Sequence, residues 1–212
     1  MDYVYLAILF ILSGFFMKLS DDEYDINNNL ILATFFGVLC GLACAIASVS
    51  DVGAAYIFIA IAIGNLLAFK VDGLHHVVTF VIFAAICFTC GMPQLSIIVL
   101  LILILAALGD EIGHELIYNY TENKFIQSFF EYRFVMKVVI FILALCGAFS
   151  FWTFIFFILF EVSYMMAGVV FKKVEKKGKN FPFYSFNSIP ILAANLAKIT
   201  VTMTAITVTI IA

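Results

Sequence analysis

Long apolar runs alternate with short polar breaks along the whole chain. Read against the roughly 20 apolar residues that one membrane crossing needs, the runs predict eight helices. They fall at about 3–19, 30–49, 53–69, 74–91, 94–109, 134–148, 150–171 and 189–210. Several are short for a crossing, so those that run into acidic clusters are expected to continue as helix beyond the apolar stretch. The breaks alternate in character. After the first, third, fifth and seventh runs they carry Lys18, Lys70, Lys124, Arg133, Lys137, Lys172, Lys173, Lys176, Lys177 and Lys179. After the second, fourth and sixth they read Ser50-Asp51, Met92-Pro93-Gln94 and Phe149-Ser150, with no Lys or Arg. Ten of the 11 basic residues thus share one face, which the bias of Lys and Arg toward the inner side makes cytoplasmic, with both termini outside.

Composition agrees with that pattern. The 212 residues are 65% hydrophobic and 12% charged, with a mean hydropathy of +1.16. Such usage excludes a soluble globular domain or a nucleic-acid binder and predicts an all-α integral membrane protein, in a cell or inner membrane, as a single transmembrane domain. The acidic start, Met1-Asp2-Tyr3-Val4-Tyr5, predicts no cleavable signal peptide. Cys40, Cys44, Cys87, Cys90 and Cys146 all lie inside apolar runs and read as small hydrophobes, since the Cys87/Cys90 spacing has no second pair or nearby His to make a zinc or redox motif. Ala33, Gly37, Gly41 and Ala45 form a small-residue stripe that invites a neighbouring helix. The chain also divides into two similar four-helix halves, about 1–92 and 93–212, each opening on a run that ends in an acidic cluster. Their third helices end alike, in Phe69-Lys70-Val71-Asp72 and Phe171-Lys172-Lys173-Val174-Glu175.

Charge at the ends of two apolar runs supplies the candidate chemistry. The first run passes into Asp21, Asp22, Glu23 and Asp25, and in a continuing helix Asp21 and Asp22 both align with Asp25. Three carboxylates on one face repel one another unless a cation lies between them, and oxygen ligands suit Mg²⁺. A solvated acidic helix end is the alternative. The run at 94–109 ends in Asp110, Glu111, His114 and Glu115, where spacing by four lets each pair converge from one helix. Glu161 lies within an apolar run, with Lys198 as a candidate partner. Two opposed carboxylate sets at one end of an apolar bundle suit metal ions that bridge a diphosphate whose hydrocarbon tail lies among the helices.

These residues resemble the UbiA superfamily of intramembrane prenyltransferases. Its first motif, NDxxDxxxD, is similar to 21–29, with Asp21 in place of Asn and Asn29 in place of the last Asp. Its second, DxxGD, is similar to 110–114, with His114 in place of the final Asp, and Lys70 corresponds to a basic residue typical of the family. The family commonly has nine helices, and this chain reads as lacking the first. The resemblance implies Mg²⁺ held by Asp21, Asp22, Asp25, Asp110, Glu111, His114 and Glu115, with Asp22, Asp25 and Asp110 as catalytic carboxylates. Lys70, Lys18, Arg133 and Asn29 would serve the diphosphate. His114 moves the donor set toward transition metals, and Glu115 beside it restores a carboxylate. The implied reaction moves a prenyl group from an isoprenoid diphosphate to a lipid or aromatic acceptor at the cytoplasmic face. Two other readings are a metal- or proton-coupled transporter built on Glu161 and the acidic clusters, and a non-catalytic lipid-binding membrane subunit.

Overall fold

The computed structural model describes residues 3–71 and 73–178, and every regular element among them is a helix. In chain order these are α1 (Tyr3–Asp25), α2 (Leu30–Ser50), α3 (Val52–Leu67), α4 (Leu74–Cys90), α5 (Ile97–Tyr120), α6 (Lys124–Glu131), α7 (Phe134–Leu145) and α8 (Phe151–Gly178). Four stretches are long and apolar enough to cross a membrane: Tyr3–Asp25, Leu30–Ser50, Ile97–Ile117 and Phe151–Val174. The other apolar helices, α3, α4 and α7, are shorter. Against the eight crossings expected, four described helices have the length and apolarity of a crossing, and the expected helix at 189–210 lies outside the described residues. The short α6 was not foreseen. It presents Phe125 outward and lays the Phe130 ring against Gly113 of α5, where a larger residue would collide.

The helix ends follow local chemistry. Asn29 caps α2 by accepting a hydrogen bond from the Leu32 amide at 3.2 Å, and Asp51 caps α3 by accepting from Ala54 at 2.9 Å. As expected for the acidic clusters, α1 continues to Asp25 and α5 to Tyr120. The break near Phe149 is also present, with Gly147 at a φ of +76° between α7 and α8. The two similar endings differ locally. Lys70 follows α3 in a turn, whereas 171–174 lies inside α8.

Around the bundle, α1 packs on α2 and α8, α2 on α3, α3 on α5, α5 on α7, and α7 on α8, closing a ring, while α4 packs along α2. Small residues make the closest of these approaches possible. A Cβ on Gly37 would lie 2.5 Å from Thr79 Oγ1 and one on Gly41 2.8 Å from the Thr79 carbonyl, so the α2 stripe is the seat of α4. On the far side of α1, Gly14 lies against the Phe160 carbonyl of α8. The core between these contacts is aromatic and aliphatic, with Phe10, Ile57, Leu103, Ile140 and Phe157 buried, while Ile97, Ile98, Leu101 and Leu105 face outward as an exposed apolar stripe. Helix polarity sets the rest: α1, α3, α5 and α8 end where α2, α4 and α7 begin, which brings both acidic clusters to one end of the ring.

Candidate functional site

At that end a cavity of about 340 Å³ opens between α1, α2, α3, α4, α5 and α8. Toward mid-bundle it is lined by Cys40, Cys44, Phe58, Ile61 and Phe83. Toward the end of the bundle it meets Lys18, Asp21 and Asp25 from α1, then Lys70 and His76 from the α3–α4 connection and the start of α4. Glu111, His114, Arg133 and Tyr164 complete the charged part. One space therefore joins residues of both acidic clusters.

The carboxylates divide by partner. Asp21 faces the cavity; its Oδ2 accepts a hydrogen bond from the Tyr164 hydroxyl at 3.2 Å, while its Oδ1 is buried without a hydrogen bond and lies 3.9 Å from His76 Nε2. Asp22, one residue on, turns toward α8 instead. Its Oδ1 pairs with Lys18 at 2.8 Å, it does not line the cavity, and Gly168 leaves room for both side chains. Asp25 is exposed at the cavity's edge. The three aspartates thus do not share one face: 21 and 25 do, and 22 lies about 100° round the helix from 21.

The second cluster divides likewise. Asp110 is buried, and its two oxygens accept from the Val135 amide at 2.9 Å and the Met136 amide at 2.7 Å. Those are the amides an N-cap side chain would satisfy in α7, whose own N-cap, Arg133, makes no such bond and sits at a left-handed φ of +51°. Arg133 instead reaches Glu111, with Nη2 3.0 Å from Oε1. Burial works against the guanidinium's charge, but Glu111, with Tyr164, Glu161 and Asp21 around it, more than offsets this and raises its pKa above the ordinary arginine value. His114 faces the cavity with Nδ1 buried and without a hydrogen bond. Glu115 is exposed and pairs with Lys70 at 3.2 Å. Asn29 is spent on its cap.

Glu161 finds its partner on α7, where Lys137 Nζ lies 3.0 Å away and also donates to the Tyr132 carbonyl. The expected partner, Lys198, lies outside the described residues. Three residues at the site were not anticipated: His75, His76 and Tyr164. A signal existed for the first two, which are adjacent and account for two of the chain's 3 histidines, directly after a charged loop. Tyr164 follows Glu161 by three positions and so stands near its face of α8.

Among the described residues every regular element is a helix, four of them are long and apolar enough to cross a bilayer, and both acidic clusters lie at one end, which defines a class: a helical membrane protein. Compared with known proteins, the chain matches no family model, no curated protein and no solved structure.

Proposed function

We propose that the cavity binds an amphiphile with a polyanionic head, an isoprenoid diphosphate, and that the chain transfers its prenyl group to a lipid or aromatic acceptor with the help of Mg²⁺. One observation carries this reading: a single space is apolar toward mid-bundle and lined by acids and bases at the bundle's end. A tail placed beside Phe58, Ile61 and Phe83 is shielded from water, and a head at the charged end meets Lys18, Lys70 and Arg133. The donor set fits a hard cation, because Asp21 Oδ1 is buried without a hydrogen bond and Asp25 lies one turn on along the same face. Asp21, Asp25 and Glu111 would hold Mg²⁺, which when bound supplies neutralising charge for the departing diphosphate.

The chain's own residues have clear parts in this scheme. Lys70 and Arg133 are held by Glu115 and Glu111, so a diphosphate that draws the two cations to itself would leave Glu111 free to hold the metal. Phe80 and Phe83 offer aromatic faces to positive charge developing on the prenyl carbon. Asp110 and Asn29, whose acceptors serve helix termini, position α7 and α2. The concentration of acids at one end also favours headgroup chemistry over an ion path, since the half-buried Glu161 is already paired.

The test is equilibrium binding of a prenyl diphosphate to the detergent-purified chain, with and without Mg²⁺. Metal-dependent binding that is lost in Asp21→Asn and Arg133→Gln is the expected outcome. Absent binding in the wild type, or binding indifferent to Mg²⁺ and to both changes, overturns the reading.

A further inference from the structure

We propose that Asp21, His75 and His76 form a site for one divalent transition metal of the Zn²⁺ type, with a fourth coordination position open to the cavity. One donor atom from each of the three residues lies within 4.8 Å of the other two. Four-coordinate Zn²⁺ with bonds of about 2.0–2.1 Å needs donors roughly 3.4 Å apart, so small side-chain rotations close the set. Two imidazoles and one carboxylate are the donors that borderline metals prefer and that Mg²⁺ does not.

The surroundings point the same way. The Tyr164 hydroxyl holds Asp21 Oδ2 at 3.2 Å, which leaves Oδ1, buried and without a hydrogen bond, directed to the histidines. This is the outer-shell arrangement that fixes a metal-binding carboxylate. His75 is 1% exposed and clamped on both sides, by the Tyr24 ring at 4.4 Å between centroids and by His76 at 3.9 Å. Gly73 lets the chain pass over the His75 ring, where any Cβ would collide. The α2 stripe then seats this turn of α4 beside α1, since Gly37 also faces the His75 carbonyl. Asp21 and His76 both line the cavity, so the remaining position faces whatever the cavity holds. Three protein ligands with one open position is the pattern of a reactive rather than a purely structural metal site. The inference does not depend on prenyl transfer; if both hold, Mg²⁺ is left with Asp25 and Glu111.

The test uses the full chain in detergent, stripped with chelator and titrated with Zn²⁺, Co²⁺ or Mg²⁺ alone. The expected result is one Zn²⁺ or Co²⁺ per chain, Mg²⁺ failing to compete, and a visible Co²⁺ spectrum of four-coordinate nitrogen and oxygen ligation without thiolate charge transfer. His76→Gln and Asp21→Asn should each weaken Co²⁺ binding by more than about 100-fold, Tyr164→Phe by roughly 10-fold or more, and the exposed Glu122→Gln, outside the cavity, not at all. Helical circular dichroism of each variant guards against loss through misfolding. Uptake of no metal by the wild type, a thiolate spectrum, or full binding by folded His76→Gln and Asp21→Asn overturns the site. No prenyl diphosphate enters the experiment, so its failure is distinct from failure of the transferase reading.

Discussion

At Asp110 the chain spends a carboxylate on architecture. Both oxygens receive amides of α7, so removing them exposes a helix N-terminus that has no other side-chain cap. Asp110→Ala is expected to destabilise the protein by roughly 1–2 kcal/mol, and Asp110→Asn by less because one acceptor survives. Thermal unfolding in detergent measures both. The Lys137–Glu161 pair makes a second expectation at this scale. Its side chains are mostly buried, and removing one partner strands the other charge. Glu161→Ala should cost about 3 kcal/mol, while Glu161→Leu combined with Lys137→Met should recover most of it. A double variant as unstable as the single one would mean that the ion pair itself, not the stranded charge, holds α7 to α8.

Between α2 and α4 the contact rests on the absence of side chains. Gly41 faces the Thr79 backbone carbonyl, which moves only if α4 moves with it. Gly41→Val is therefore expected to cost about 1–3 kcal/mol and to push out the helix that carries His75 and His76. Metal titration of this variant checks the coupling: weakened Co²⁺ binding follows from a displaced α4, and unchanged binding would place the histidines independently of the stripe. Gly37 contributes to the same seat from one turn earlier.

For the molecule as a whole, helix polarity makes a topological prediction. Cys90 is the last residue of α4 and Cys146 follows α7, and both helices begin at the charged end. Both thiols are exposed and lie at the opposite end, whereas Cys40, Cys44 and Cys87 are buried. A membrane-impermeant maleimide applied to intact cells should modify Cys90 and Cys146 together and spare the other three. Under the inner-side bias of Lys and Arg the reaction occurs from outside. Modification of one thiol from each side would break the common end that the ring of helices requires.

Read from the sequence alone, apolar runs marked seven of the described helices, α6 excepted, and acidic spacing marked both candidate clusters, because burial in lipid demands helical backbone and makes charge conspicuous. The continuation of α1 and α5 past their apolar stretches, and the break near Phe149, were legible for that reason. Partner choice was not. Asp21 and Asp22 are adjacent and chemically identical, yet one faces a cavity and the other a lysine, a division set by where α8 packs on α1. Asp110 belongs to a motif in the sequence and to a helix cap in the structure, because α7 begins beside it. His75 and His76 stand 54 and 55 positions from Asp21. Only the approach of α4 to a small-residue stripe, a contact between helices with no local sequence rule, brings the three together.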